Sequence, residues 1–270
     1  MIFLILSDFN IEQIAESGQC FRWNKVSNMN YRGIINGRVC DVNQTGSKVE
    51  FTGISEDEFI HYFDLERDYS KIKKYYEKDP VLKEAISFGE GIRILNQDKF
   101  ETLISFIISA NNNIPRIKKS VEAISKRYGK HIYDDYYAFP TVEELSIAIV
   151  SELKECGVGF RDKYIFDTCK KIIEDFDLEE VSKLSTKECK SKLLKLKGVG
   201  PKVADCIMLF SMGKLDAFPV DVWIKKIMER LYIKEEMPLK SIEKYAKENF
   251  KEYAGVAQQY LFFYARENIK

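Results

Sequence analysis

Lys202 sits where structure alone gives little reason for a cation. It follows Gly198-Val199-Gly200-Pro201, and Pro201 reads as the first residue of a helix, where its missing N–H costs little. A cation in that first turn opposes the helix macrodipole by roughly 0.3–1 kcal/mol. The same field disfavours the charged ammonium, as desolvation would, and a neutral amine is the form that attacks an electrophile. Taken alone, Lys202 would simply swing out to solvent or to a phosphate. Asp221, at the end of Phe218-Pro219-Val220-Asp221, changes that reading. It is placed to cap a helix over residues 222–232, and a carboxylate held at a helix N-terminus is expected to stay ionised at neutral pH. An ionised Asp beside a neutral Lys suits displacement at a sugar carbon, where cationic character must be stabilised as a base departs.

The segment that must position these two side chains runs from Thr186 to Met228. A Lys-rich helix leads into Leu196-Lys197-Gly198-Val199-Gly200, and a second helix begins at Pro201. Gly198 and Gly200 let the backbone turn tightly and leave its N–H groups facing outward, with no Cβ to obstruct a phosphate. Val203, Ala204, Ile207 and Met208 form an apolar stripe on the second helix. This is a helix-hairpin-helix, which grips a DNA backbone without reading its sequence.

Around it the chain has two textures. From Met1 to about Leu65 the periodicity is mostly two, with β-rich runs at 19–26, 31–35, 38–42 and 48–51. Asn36-Gly37 between two of them signals a tight hairpin. A short helix over 11–17 is capped by Asn10 and closed by Gly18, and another starts at Ser55 with Glu58 completing a capping box. Beyond about Asp68 the apolar spacing becomes helical, with Thr141 and Glu144 opening one capped helix and others near 162–175, 186–195, 202–212, 222–232, 238–250 and 255–267. The expected class is α+β, mainly α: an antiparallel-sheet domain over residues 1–95, then a helical array over 96–270.

Composition narrows the field without deciding it. With 45% hydrophobic and 13% aromatic residues, the 270-residue chain can fill a core. Its formal charge is zero, yet residues 111–130 carry six basic side chains against one Glu, and residues 182–204 carry seven Lys against one Glu. Such runs fit a phosphate-facing surface or solvated helix faces equally well. The six Cys have neither C-x-x-C nor iron–sulfur spacing, and His61 and His131 lie far apart, so a zinc site, a cluster or any other cofactor is not expected. The Cys read as buried, reduced thiols. No basic leader, cleavage site or long apolar stretch is visible, so the chain reads as cytoplasmic, nucleoid-associated if bacterial and nuclear if eukaryotic.

The hairpin, followed by Phe218-Pro219-Val220-Asp221, resembles the helix-hairpin-helix (HhH-GPD) superfamily of DNA glycosylases. Within it the chain is similar to the 8-oxoguanine DNA glycosylase/lyases. Four further motifs carry that likeness: Ser17-Gly18-Gln19-Cys20-Phe21-Arg22-Trp23; Asn111-Asn112-Asn113 with Arg116; Gly157-Val158-Gly159-Phe160-Arg161; and Gly255-Val256-Ala257-Gln258 with Phe262. They span residues 17 to 262, nearly the whole chain.

The resemblance implies a monomer that acts on double-stranded DNA containing 8-oxoguanine, excises the base and cleaves the strand by β-elimination. Lys202 would form a Schiff base and Asp221 would assist base loss. The Gly18 carbonyl would accept the N7 hydrogen that distinguishes the lesion from guanine. Gln258 would bond the Watson–Crick edge of the flipped base, Phe262 and Cys206 would sandwich its ring, and Pro219 would line the pocket. Gln259, next door, competes with Gln258 for that role. Asn111 would fill the vacated space, Arg116 and Arg161 would read the orphaned cytosine, and Phe160 would wedge the stack. The chain departs from the family at Lys197, where Pro is common, at Trp223, where animal relatives carry His, and at Phe160, often Tyr. A monofunctional alkylpurine glycosylase would not need Lys202, and a non-catalytic DNA-binding module would not need Asp221 paired with it.

Overall fold

The computed structural model describes residues 1–268. Five strands form an antiparallel sheet: β1 (Ile2–Ile5), β2 (Asn24–Ser27), β3 (Asn30–Ile35), β4 (Arg38–Thr45) and β5 (Lys48–Thr52), in the order β1-β5-β4-β3-β2. Asn36 and Gly37 both adopt positive φ, as the β3–β4 turn requires, and set the register Ile35 opposite Arg38. α1 (Ile11–Glu16) follows β1, and α2 (Glu56–Tyr62) follows the sheet. Both helix starts are local in origin: the Asn10 side chain accepts from the Gln13 N–H, and Ser55 with Glu58 forms a full capping box. Trp23, Tyr31, Phe51, Phe59 and Phe63 make the core under the sheet, with Phe51 and Phe59 stacked 3.9 Å apart.

The remaining helices are α3 (Tyr69–Tyr75), α4 (Pro80–Phe88), α5 (Lys99–Ser109), α6 (Ile114–Tyr128), α7 (Val142–Ser146), α8 (Val150–Leu153), α9 (Asp162–Asp175), α10 (Leu178–Lys183), α11 (Thr186–Leu193), α12 (Pro201–Ser211), α13 (Val222–Ile227), α14 (Leu239–Asn249) and α15 (Ala254–Asn268). They enclose a second core in which α5 packs on α12, with Phe106 stacked on Phe210 at 5.5 Å. The segment 92–98 bolts the two cores together. Buried Arg93 donates to the carbonyls of Phe63, Asp64, Arg67 and Asp8, and Gln97 bridges the Gln19 and Phe210 carbonyls.

Two expectations need correction, one about a strand and one about a helix. The run 19–26 is not one strand; only Asn24–Ser27 pairs. The Gln19 side chain is committed elsewhere, donating to Ser17 Oγ and the Arg93 carbonyl and accepting from the Leu95 N–H, which bends the chain out of a ladder. The apolar N-terminus forms edge strand β1 on β5, its inward residues packing beside the sheet core. The helix expected over 222–232 keeps α geometry only to Ile227 and continues in the wider π form over Met228–Ile233. A small hairpin, His131–Tyr133 with Tyr136–Tyr137, was not legible in the sequence.

Candidate active site

The hairpin forms as the glycine spacing requires. Gly198 has φ +80°, and a Cβ there would lie 2.9 Å from the Tyr164 side chain, so both conformation and packing exclude a larger residue. Gly200 differs: it caps α12 in an extended conformation, and a Cβ there would meet nothing within 4 Å. Nothing in the fold crowds that position, and the α12 N-terminus is open to an incoming phosphate. The basic run around it is partly spent internally. Lys197 pairs with Asp167 at 2.9 Å, and Lys190 with buried Asp205 at 2.8 Å. Burial raises the Asp205 carboxyl to about 7 against the pull of Lys190.

Lys202, in the first turn of α12, is half-buried. Its Nζ lies 3.4 Å from Ser109 Oγ and 5.2 Å from the centre of the Phe106 ring, both on α5. One turn on, Cys206 is buried and its thiol is pushed up to about 12, chiefly by desolvation, so it presents a neutral, polarisable surface. Asp221 caps α13, accepting from the N–H groups of Trp223 and Ile224 at 3.0 and 2.8 Å. The cap is as expected, and burial adds an opposing effect. Burial raises the Asp221 carboxyl above its ordinary value, and the helix N–H groups and the Lys202 charge only moderate that rise.

These residues line one narrow cleft with a cavity volume of about 50 Å³. Its walls bring together Gly18, Lys202, Cys206, Pro219, Asp221, Gln258 and Phe262, from the end of α1 to the last helix. Phe106 and Phe210 complete the apolar floor; in the sequence they belong to helical apolar stripes and carry no signal that separates them from core. Gly18 has φ +80°, and a Cβ on it would come within 3.0 Å of Phe262 Cε1. No described residue donates to the Gly18 carbonyl. Gln258 is 4% exposed, yet its Oε1 has no hydrogen-bond partner. The neighbouring Gln259 is occupied, its Nε2 donating to the Ser17 carbonyl at 2.7 Å. An orphaned buried amide oxygen costs about 1–3 kcal/mol, so Gln258 Oε1 is left open to a donor.

The remaining candidates lie apart from the cleft. The Asn triplet ends α5 and starts α6: Asn111 is exposed with φ +51°, and Asn113 caps by accepting from the Arg116 N–H. The Arg116 side chain is exposed. Phe160 is 59% exposed, unusual for a Phe without a partner, and stacks on the Arg161 guanidinium at 4.3 Å. Arg161 is only 5% exposed. Its guanidinium donates to the carbonyls of Ala110, Asn111 and Val158, leaving about one of its five N–H groups uncommitted. In this conformation Arg161 holds the Asn111 loop and is not presented as a free reader of a base. Lys226 lies over the Trp223 ring at 5.1 Å, a cation beside the departure from His.

Comparison with known proteins shows which family the chain belongs to. Residues 1–103 match the family described as the 8-oxoguanine DNA glycosylase N-terminal domain, and residues 104–252 match the HhH-GPD superfamily of base excision DNA repair proteins. A probable N-glycosylase/DNA lyase of Methanothermobacter thermautotrophicus is 31% identical over 97% of this chain and 95% of its own. An N-glycosylase/DNA lyase of Arabidopsis thaliana is 31% identical over 91% of this chain and 74% of its own. The 8-oxoguanine glycosylase/lyase of Clostridium acetobutylicum, solved with duplex DNA containing cytosine opposite 8-oxoguanine, superposes with a TM-score of 0.95 at 49% identity, covering 97% of this chain and 93% of that one. The chain belongs to the HhH-GPD superfamily of base excision DNA repair proteins, and within it to the 8-oxoguanine DNA glycosylase/lyases.

Proposed function

We propose that this chain flips 8-oxoguanine out of duplex DNA into the cleft, cuts its N-glycosidic bond and then nicks the strand. The observation that carries the reading is the pairing, in one cleft, of two acceptors that lack a donor from the described residues with a nucleophile. The Gly18 carbonyl and Gln258 Oε1 await donors beside Lys202 and Asp221. 8-Oxoguanine offers donors at N7 and on its Watson–Crick edge; guanine presents a lone pair at N7, so the Gly18 carbonyl would repel it. The apolar floor, Cys206, Phe262 and Pro219 receive the ring.

In the chemistry we propose, the uncharged Lys202 amine attacks C1′ as the bond to the base breaks, and the departing purine takes the bonding electron pair. The ionised Asp221 carboxylate stabilises the cationic character at the sugar. Transfer of one amine proton to the sugar ring oxygen breaks the C1′–O4′ bond and gives the protonated Schiff base. Removal of a C2′ proton then expels the 3′ phosphate by β-elimination. No cofactor is invoked. Asn111 and Phe160 take the vacated stack, Arg116 faces the orphaned cytosine, joined by Arg161 once it releases carbonyls of the Asn111 loop, and Gly198 and Gly200 hold a phosphate through backbone N–H groups. We place the domain division at 95/96, in the segment that joins the two cores, and assign the chain a monomeric, cytoplasmic existence, nucleoid-associated or nuclear according to its host. An end-labelled duplex with one 8-oxoguanine opposite cytosine tests the activity. Cleavage at the lesion without alkali, and none of the undamaged duplex, is expected; a product that appears only after alkali removes the lyase half.

A further inference from the structure

Gln259 lies outside the roles assigned above. It is buried on α15 beside Gln258, and its Nε2 reaches the Ser17 carbonyl across nearly the whole length of the chain. That carbonyl belongs to the peptide entering Gly18. The rest of Ser17 is also fixed: its Oγ donates to the Ile14 carbonyl at 2.8 Å and accepts from Gln19 Nε2 at 2.9 Å. Beyond Gly18, the Gln19 carbonyl accepts from Gln97 Nε2 at 2.8 Å. Gly18 is therefore a single free joint between held neighbours. Glycine takes either sign of φ at little cost, so the residue that permits close approach to a base also permits the entering peptide to rotate. Gln259 supplies the donor that opposes this rotation from the cleft side. It does so from the helix that also carries Gln258 and Phe262, so the two side chains that meet the base and the one that holds the Ser17 carbonyl share one rigid element.

We propose that Gln259 is a positioning residue: it fixes the plane of the Ser17–Gly18 peptide and, with Gln97 holding the Gln19 carbonyl on the far side, limits rotation of the intervening Gly18–Gln19 peptide, whose carbonyl is thereby kept aimed at the N7 hydrogen of 8-oxoguanine. This rests on the reading of Gly18 given under the proposed function. The neighbouring Gln258 meets the base directly; Gln259 acts through the backbone.

The test compares two single-turnover rates in one protein: excision of 8-oxoguanine, and cleavage of a duplex with a preformed abasic site, which places no base in the cleft. Gln259→Met keeps the side-chain length and removes the donor. It should lower the ratio of excision to abasic cleavage by about tenfold, the worth of one buried hydrogen bond. Gln259→Glu keeps the shape and sets a carboxylate against the Ser17 carbonyl. Acidification restores a donor there, so the ratio should recover relative to wild type as pH falls. Either variant with the wild-type ratio at every pH overturns the proposal, as does a parallel loss of both rates with no pH-dependent recovery. A wild-type protein that cleaves abasic sites but leaves 8-oxoguanine in place overturns instead the reading on which it rests.

Discussion

Replacing Gly18 by Ala perturbs the proposed lesion sensor at its most constrained atom. Two costs can be worked out. At φ +80° an L-residue is strained by about 1–2 kcal/mol. The new Cβ would also stand 3.0 Å from Phe262 Cε1, tighter than ordinary contact, so the ring must yield by a few tenths of an ångström. If the chain holds its conformation, the cost falls on stability, about 2–8 °C in melting temperature for a chain of this size. If it relaxes to negative φ, the carbonyl swings away from the base and the N7 donor is left unmet, about 1–3 kcal/mol or roughly 5- to 150-fold in affinity. The assay is equilibrium binding to duplexes with 8-oxoguanine or guanine at one position opposite cytosine, in a Lys202→Gln background so that no turnover intervenes. Gly18→Ala should shrink the lesion-to-guanine ratio by at least about fivefold while affinity for plain duplex is retained. A folded variant with an unchanged ratio and an unchanged melting temperature would refute the assignment of Gly18.

Asp221→Asn should slow base excision by orders of magnitude with little loss of melting temperature, because Asn caps helices about as well as Asp. Since burial raises the Asp221 carboxyl, the acid limb of excision should be displaced upward from the ordinary Asp value and vanish in this variant; a rate within about twofold of wild type reduces Asp221 to a cap. Arg116→Ala should flatten the preference among the four opposing bases at unchanged stability, whereas Arg161→Ala should also destabilise the fold by about 1–3 kcal/mol, having orphaned three carbonyls; equal melting temperatures for the two would contradict the described geometry. Burial raises the Glu101 carboxyl from 4.5 to about 7, so the folded state retains a proton that the unfolded chain releases. Its contribution is present below pH 4.5 and lost as pH rises through about 7, and Glu101→Gln should therefore be the more stable protein at pH 8, by at most about 3 kcal/mol, with the gap closing toward pH 4.5. Chemical denaturation at the two pH values checks this.

What could be read from the sequence was whatever is decided locally. Asn10, Ser55 with Glu58, Thr141 with Glu144 and Asp221 cap helices because a side chain reaches an N–H two or three residues away. Asn36-Gly37 turns because both residues accept positive φ. Residues as distant as Gly18, Lys202 and Gln258 could be grouped only through motif resemblance, and the fold sets them around one cleft. Features that depend on distant partners were not legible. Gln19 looked like a strand residue because Arg93 and Leu95 gave no local sign of claiming it. Arg161 looked free until Ala110 and Asn111 were placed beside it. The upward shift at Asp221 comes from burial by elements far away in sequence, which outweighs the helix end that the sequence does show.

The account stands or falls on the Lys202 amine. Borohydride added during reaction with an 8-oxoguanine duplex reduces a Schiff base to a stable amine and leaves protein and DNA covalently joined. Wild-type protein should give this adduct, with the modified peptide mapping to Lys202. Lys202→Gln should give none while still binding the same lesion duplex. An adduct of undiminished yield from Lys202→Gln, or one mapping to a different residue, would contradict the central claim.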